Sequence, residues 1–388
     1  IPKLGTGSGA WVDLDLSKQK TVTMTVGISY VSLANARDNL AKEQPVTLAG
    51  NSQKTFKKVR HQAHQTWNDA LTKVKVVSNS KDQLTTFYTA LFHSQFHPNI
   101  FSDVNGEYLG FDQKTHQITD QQTAQYANFY RSQLQLVTLL NPKRGSDIAQ
   151  SLFNQAQQFN GVWDRWTHNS GPTGVMSGDP STIAIANFIA FGANDFDVQG
   201  AYQSLLKAAT EPTALDLSNE GCPVFCRGQH PSLDQWQSLN YISDQSNSWE
   251  GASETLEQAS ADFALSQLAK NLGDNTTSTL MLKRSGYWKN LFNPQATADA
   301  GYIQGRNKDG SWKTDFDANS EHLFVEGSPA QYLWMVPFDG AGLNQLVGGD
   351  EVMANRLDNH FHKPDGSWVL FRDNARYSDV SNQPSIAS

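Results

Sequence analysis

The spacing of apolar residues changes at about residue 34, and this change constrains the fold more than any other feature of the sequence. Residues 10–33 alternate apolar and polar side chains, for example at Val22, Met24 and Val26. A period of two with β-branched residues predicts strands, which we take as the last strands of a sheet that continues upstream. From residue 34 onward apolar residues recur at helical spacing. The sequence therefore predicts a short β segment followed by a mainly helical chain.

Eleven helices are predicted from this spacing and from start and stop signals. They cover residues 34–41, 61–77, 83–96, 130–140, 147–159, 180–191, 198–210, 255–271, 277–292, 329–336 and 351–361. Loops of alternating short and long length separate them, which is typical of antiparallel helix pairs packed in a ring. The long loops would then gather at one end as a binding face. A chain of 388 residues is long enough for one such helical barrel.

Turn-forming residues mark two further features. Residues 101–120 are rich in turn formers and aromatics, which predicts a long loop or hairpin between helices. The tetrapeptide Asp-Gly-Ser-Trp occurs at 309–312 and again at 365–368. Since nothing around it recurs, we interpret it as one turn used twice rather than as a structural repeat.

Composition narrows the class of partner. The net charge is −8 with a pI near 5.7, and no run of Lys and Arg suggests binding to nucleic acid or to an anionic membrane surface. No apolar run approaches the roughly 20 residues that span a bilayer. The chain has ten Trp, eleven Tyr and twenty Phe. Flat aromatic rings can pack against the C–H faces of sugars, which favours a carbohydrate ligand, or they can fill a large core.

The two cysteines, Cys222 and Cys226, are too few for a disulfide framework. They could pair across a loop in an oxidising compartment or remain two ordinary thiols. Without a further cysteine they do not indicate a zinc site.

One carboxylate, Glu326, lies among aromatics just before a predicted helix, in the stretch HLFVEGSPAQYLWMVPFD. Ser328 followed by Pro329 predicts an N-cap with proline at the first helical position. The helix dipole would favour the ionised carboxylate, whereas burial beside Phe324 and Trp334 would favour the protonated one. Glu326 is therefore either a proton donor or a glutamate that hydrogen-bonds the helix start.

Further acidic residues are candidates for a polar site. Asp103 lies in the turn-rich loop, Asp179 can cap a helix before Pro180, and Glu257 lies on a helix. On that helix Leu256, Ala259 and Phe263 predict a narrow buried stripe. Glu257 follows Leu256 closely enough to be a site residue, but it could also lie on a solvated face.

Asp164, Arg165 and Trp166 place a charge pair beside an aromatic ring. That arrangement suits a sugar platform, with a stacking face next to hydrogen-bonding groups. An exposed ion pair beside a core tryptophan fits equally well.

Glycoside cleavage needs two carboxyls, about 5–5.5 Å apart for retention and roughly 6.5–9.5 Å for inversion. The sequence shows no nucleophile elbow for Ser/His/Asp catalysis and no phosphate-binding glycine loop.

Several segments in one order resemble glycoside hydrolase family 92, the calcium-dependent exo-α-mannosidases. They include GISYVSLANARDNL, FYTALFHSQFHPNIFSDVNGEYLGFD, YRSQLQLVTLLNP, SETLEQASADFALSQLAKNLG and FVEGSPAQYLWMVPFDGAGLNQLVGG. The resemblance implies the end of a β-sandwich domain at 1–33 and an (α/α)6 barrel at 34–388. It also implies inverting, calcium-assisted hydrolysis of terminal α-mannose on glycans by a secreted or cell-surface enzyme.

The same resemblance assigns roles to residues. Glu326 would be the general acid, and Asn382 and Gln383 would lie at the calcium site. Sugar contacts are expected from six residues: Arg131, Asp164, Trp166, Asp179, Glu257 and Gln331. Calcium suits the role because it accepts neutral oxygen ligands and can hold ring hydroxyls in a distorted geometry.

Three departures from the family pattern are visible. A Trp-Asp pair that usually precedes the Tyr-Arg of the family is missing before Tyr130. The Asn-Asp-Asp segment that supplies the general base would lie beyond Ser388, and the upstream strands of the sandwich are missing. We therefore expect a chain truncated at both ends. Gln383 stands where Glu is common, which leaves the preferred linkage open. The alternatives are a non-catalytic, mannose-binding remnant of the family and another (α/α)6 glycosidase that acts on α-glucosides.

Overall fold

The computed structural model describes residues 11–15, 17, 24–43, 52–118, 123–124, 131–167, 171–369 and 376–380. Thirteen α-helices lie in these residues. They are α1 Leu33–Glu43, α2 Ser52–Leu71, α3 Lys81–His93, α4 Gln133–Leu140, α5 Pro142–Gln158, α6 Pro180–Ala190, α7 Val198–Thr210, α8 Leu233–Leu239, α9 Gly251–Asn271, α10 Asn275–Ser285, α11 Pro329–Tyr332, α12 Gly340–Val347 and α13 Asp350–Phe361. The mainly helical class predicted from the sequence is confirmed.

Short antiparallel strand pairs join some of the helices. The strands are β1 Asn99–Ile100, β2 Glu107–Leu109, β3 Thr115–Gln117, β4 Thr123–Ala124, β5 Phe292–Asn293 and β6 Tyr302–Ile303. They pair as β1 with β4, β2 with β3, and β5 with β6. The β2–β3 hairpin confirms the predicted hairpin within residues 101–120. Both Asp-Gly-Ser-Trp segments form the same turn, because in each the Asp side chain accepts the Ser N–H, at 2.9 and 3.0 Å.

Helix α9 lies at the centre of the described fold. Its residues from Gly251 to Ala269 are buried except Ser260, Phe263 and Gln267, which are half-buried. The predicted narrow stripe is therefore wrong, because burial extends well beyond Leu256 and Ala259 and Phe263 is only half-buried. Ala261 and Leu265 belong to one apolar cluster with α4, α5, α6, α7 and α10. Leu256 and Ala259 belong to a second cluster with α8, α11 and α12. Polar side chains on α9 must therefore find partners inside the protein.

Several helix boundaries differ from the sequence prediction. The helix expected over 277–292 ends at Ser285 and continues as a 3-10 helix, Gly286–Leu291. The helix expected over 329–336 ends at Tyr332, and a second 3-10 helix, Pro337–Asp339, begins at the proline. Helices α8 and α12 were not predicted. Short helices carry few turns of periodic signal, so packing decides whether they form.

Residues 10–33 are the segment in which the sequence predicts strands. No strand forms in the described residues 11–15, 17 and 24–32, and the side chains of Trp11 and Met24 are exposed. A strand is defined by hydrogen bonds to a partner strand. The division into a sandwich segment at 1–33 and a barrel at 34–388 stays a prediction. No described helix is both long and apolar enough to cross a bilayer.

Candidate active site

Glu326 lies on the loop that enters α11, as the sequence predicts. The Ser328 side chain accepts the Gln331 N–H at 3.3 Å, and the Ser328 N–H donates to Gln331 Oε1 at 3.0 Å. This reciprocal capping box fixes the start of the helix. Glu326 itself is exposed, whereas Phe324, Tyr332 and Trp334 are buried. These aromatic side chains therefore belong to the protein core and do not enclose the Glu326 carboxylate.

The backbone at Glu326 is in the left-handed region, with φ of +51°. That conformation costs a non-glycine residue roughly 1–2 kcal/mol. Two hydrogen bonds hold the preceding residue in place: Val325 N–H donates to Ser253 Oγ at 2.9 Å, and Tyr332 Oη donates to the Val325 carbonyl at 2.7 Å. A strained backbone held by buried hydrogen bonds is typical of functional sites.

A buried ion pair joins two residues that are far apart in the sequence. Arg131 Nη2 lies 2.6 Å from Glu257 Oε1, and both side chains are less than one-tenth exposed. Arg131 Nη2 also lies 3.9 Å from Met335 Sδ. The structure thus brings together two of the predicted sugar-contact residues, and the solvated-face interpretation of Glu257 is wrong. Burial on α9 leaves its charge dependent on the arginine.

Gly178 is needed for this arrangement. A Cβ atom at Gly178 would lie 2.4 Å from the Glu257 Cβ, and the glycine has φ of +77°. Both facts exclude a larger residue. The Gly178 loop therefore packs directly on the Glu257 side chain.

Tyr332 is affected electrostatically by both the Arg131–Glu257 ion pair and Glu326. Burial raises the pKa of the Tyr332 hydroxyl, the Glu257 and Glu326 carboxylates raise it further, and Arg131 opposes them. Electrostatic effects of this kind act over short distances in a protein. The two carboxylates and the guanidinium therefore all act electrostatically on one buried hydroxyl. We take Glu326, Glu257, Arg131 and Tyr332 as the candidate active site.

Asp164 and Arg165 do not form the exposed ion pair that the sequence left open. The Asp164 carboxylate accepts the N–H groups of Thr173 and Gly174 at 3.0 and 2.8 Å, and burial raises its pKa. Arg165 donates to backbone carbonyls, including that of Gly228 at 2.6 Å. Trp166 is half-buried. Asp164 and Arg165 therefore hold the surrounding loops in place, and the sugar-contact role of Asp164 and Trp166 stays a prediction.

Asp179 caps α6, which is the structural role the sequence suggested. It accepts the Thr182 N–H at 3.3 Å, and the His230 Nε2 lies 3.3 Å from Asp179 Oδ2. Burial alone would raise the pKa of Asp179, but the His230 ring and the hydrogen bonds from Thr182 outweigh it and lower the pKa. Burial lowers the pKa of His230, and Asp179 and Asp216 more than compensate and raise it. A direct contact of Asp179 with sugar stays a prediction.

The chain matches the family model described as the glycosyl hydrolase family 92 catalytic domain over residues 35–388. The chain belongs to glycosyl hydrolase family 92. The resemblance stated from sequence motifs is thereby confirmed. No curated protein matches the chain by sequence.

Solved structures of family 92 share the fold. The α-mannosidase BT3965 from Bacteroides thetaiotaomicron superposes with a TM-score of 0.76 at 24% identity, over 92% of this chain and 44% of that one. The inverting mannosidase BT2199 from Bacteroides thetaiotaomicron VPI-5482 gives 0.74 at 24%, over 86% and 43%. A complex of BT3965 with mannoimidazole gives 0.73 at 24%, over 89% and 42%. The chain therefore spans less than half the length of these family 92 structures.

Gln331 ties the family 92 site to the C-terminal part of the chain. Its side chain accepts the Ser328 N–H and donates to the Tyr377 carbonyl at 2.9 Å. Both ends of this buried amide are thus used within the protein, and its sugar contact stays a prediction. Asn382 and Gln383, the predicted calcium ligands, lie outside the described residues.

Sequence reasoning missed a second carboxylate on α9 in this family 92 chain. Glu254 is fully buried, accepts the Gly178 N–H at 2.9 Å, and has its pKa raised by burial. Gln258 donates from Nε2 to Glu254 Oε1 at 3.3 Å, and its Oε1 accepts from His230 Nδ1 at 2.9 Å. Because Glu254 and Glu257 are three residues apart on one helix, they share a face. That spacing is the signal that could have identified Glu254.

Proposed function

We propose that this protein is an exo-acting α-mannosidase that releases terminal α-mannose from glycans with inversion, using Glu326 as the general acid. Membership of family 92 supports the reaction class. The arrangement around Tyr332 carries the assignment of residues, because it groups one exposed carboxylate with a buried carboxylate and its arginine. We further propose that the substrate is the non-reducing end of an oligosaccharide.

Glu326 and Glu257 have different environments and so suit different roles. Glu326 is exposed at the loop tip, where its carboxyl can reach the oxygen of a leaving group. Glu257 is buried and lies 2.6 Å from Arg131 in an ion pair. An ionised, oriented carboxylate is a good acceptor for sugar hydroxyls. We therefore propose that Glu326 donates the proton and that Glu257 with Arg131 orients the mannose ring.

Calcium dependence is proposed from the family alone. Calcium would hold ring hydroxyls in a distorted geometry when bound. Within the described ranges no group of three His, Cys, Asp or Glu side chains could hold a metal ion.

Secretion or display at the cell surface is also proposed. Cys222 and Cys226 form a disulfide, which resolves the two alternatives left open by the sequence. Disulfides persist chiefly in oxidising compartments. The bridge supports an extracytoplasmic location, which fractionation of the native host would test.

The decisive experiment compares Glu326→Gln with wild type on two substrates. Loss of a general acid should reduce turnover of α-mannobiose by roughly 10²–10⁴-fold, because its leaving sugar needs a proton. 4-Nitrophenyl α-mannoside has an acidic leaving group and should lose much less. Glu321→Gln changes an exposed glutamate five residues earlier on the same loop and serves as the matched control. Equal losses on both substrates, or none, would remove Glu326 as the acid.

Three further readouts distinguish the alternatives. NMR of the first-formed sugar should show β-mannose, and α-mannose would contradict inversion. A chelator should reduce turnover, and added calcium should restore it. Mannose binding by the full-length protein without turnover would instead favour the non-catalytic reading, and hydrolysis of α-glucosides would favour a different glycosidase.

A further inference from the structure

A small cavity of about 120 Å³ lies between α11, α13 and the segment at Arg376. Its lining combines cationic and polar side chains with a few apolar ones, and contains no Asp or Glu among the described residues. The lining residues are Tyr302, Ala330, Leu333, Trp334, Arg356, Asn359, His360 and Arg376. Two guanidinium groups, those of Arg356 and Arg376, thus lie in the wall of this cavity.

Arg356 has a buried donor nitrogen that no described residue satisfies. Its guanidinium stacks 4.4 Å from the centre of the Tyr302 ring, and its Nη1 donates to the Gly301 carbonyl at 2.9 Å. Its Nη2 is buried and has no hydrogen-bond acceptor within the described part of the chain. Burial lowers the pKa of Arg356, but a guanidinium keeps its charge at neutral pH.

Trp334 has a second buried donor of this kind, independently of the arginine. It is 6% exposed, and its Nε1 is buried without an acceptor in the described structure. A buried donor without an acceptor is costly in free energy, and more so where a second one lies at the same cavity. Both donors belong to residues in one cavity wall, so a single ligand that carries several acceptor oxygens could satisfy them.

The size of the cavity limits the ligand. Its volume is well below the roughly 300 Å³ at which sites for drug-sized molecules begin. A compact ion with four oxygens around one central atom therefore suits the space better than a monosaccharide.

We propose that this cavity binds an inorganic tetrahedral oxyanion, phosphate or sulfate, through Arg356 and Trp334, with Arg376 adding positive charge. Arginine is well suited because its planar donors match the oxygens of such ions. The position of the cavity beside α11 means that a bound ion would stabilise the helix that follows Glu326. The proposal is independent of the substrate and of the reaction.

The test is a titration of the full-length protein with sodium phosphate or sodium sulfate, at constant ionic strength maintained with sodium chloride. Both calorimetry and the midpoint of thermal unfolding are recorded. A bound ion should raise the midpoint in a saturable way. At ten times Kd the folding equilibrium should shift about 11-fold towards the native state. Chloride alone should give no saturable increase.

Variants locate the effect. Arg356→Gln should abolish the saturable increase. Trp334→Phe keeps an aromatic ring but removes the indole N–H, and it should weaken binding about tenfold. Arg306→Gln is the matched control, because Arg306 is also half-buried and stacked on aromatic rings, but each of its three side-chain nitrogens has an acceptor. Its variant should bind phosphate like wild type, even if it is less stable.

Three outcomes would overturn the proposal. One is the absence of saturable binding of either ion. Another is an equal loss of binding in Arg356→Gln and Arg306→Gln, which would indicate general destabilisation. The third is tighter binding of glucose 6-phosphate than of inorganic phosphate, because that result would contradict the size limit of the cavity.

Discussion

Replacing Tyr332 by Phe tests whether the buried hydroxyl positions Glu326. The change removes one oxygen that donates to the Val325 carbonyl at 2.7 Å and leaves the ring in place. Tyr332 is 3% exposed, so the carbonyl would lose its partner without access to water. An unsatisfied buried acceptor costs about 1–3 kcal/mol. The free energy of unfolding should fall by about that amount.

Activity should fall as well, for a geometric reason. Glu326 follows Val325 directly and has a left-handed backbone that costs about 1–2 kcal/mol. Without the hydrogen bond, the loop can relax towards an ordinary conformation and carry the carboxyl away from the leaving-group oxygen. A displacement of about 1 Å can cost on the order of 100-fold in rate. We expect kcat on α-mannobiose to fall by about 10- to 100-fold with little change in KM.

The matched control is Tyr241→Phe. Tyr241 is 5% exposed, and its hydroxyl donates to the Asn307 carbonyl at 2.8 Å, so the same chemical group is lost from a similar environment. Urea unfolding should show a similar loss of stability for both variants. Steady-state kinetics should show a loss of kcat for Tyr332→Phe alone. Equal kcat values for Tyr332→Phe and wild type, or equal losses in both variants, would refute the positioning role.

Two more predictions follow from the structure. Gly178→Ala should displace Glu257 and lower both stability and mannoside turnover. Gly273→Ala is the control, because Gly273 has a similar positive φ with open space around it, and this variant should lower stability only. Equal turnover in the two variants would contradict the packing argument. Burial raises the pKa of Asp244 from 3.8 to about 6, because Lys313 only partly compensates. The native state therefore holds this proton more tightly than the unfolded state, so the Asp244 contribution to stability falls as pH rises from about 4 to 6. Asp244→Asn should remove that slope from thermal unfolding curves and be more stable than wild type above pH 6; an unchanged slope would show that other groups cause it.

The parts of the fold that were predictable have local signals. Val198–Thr210 was predicted to the residue, because Asp197 caps it and the apolar spacing is regular. The start of α11 was predicted from Ser328 and Pro329, and the capping box is present. Each of these signals involves residues within four positions of one another. Such neighbours meet in any compact structure that the chain adopts.

The end of α11 and the burial of α9 could not be read in this way. The apolar run past Tyr332 continues to Val336, but the helix ends at Tyr332 and a separate 3-10 helix begins at Pro337, since proline disfavours a helical conformation in the residue before it. Helix α9 carries many polar residues and still lies at the centre of the fold. Its partners come from distant parts of the chain, and hydrophobic periodicity does not report them.

The sequence by itself determined the helical class, the family and the place of Glu326 at the entrance to a capped helix. These follow from short-range spacing and from motifs that keep their order along the chain. Only the tertiary structure decided that Arg131 lies 2.6 Å from Glu257, 126 residues away, and that this pair and Glu326 all act electrostatically on the buried Tyr332 hydroxyl. It also decided that Glu326 is exposed while its aromatic neighbours are buried. The physical reason is that ion pairing and burial depend on which helices pack together, and packing is a property of the whole chain.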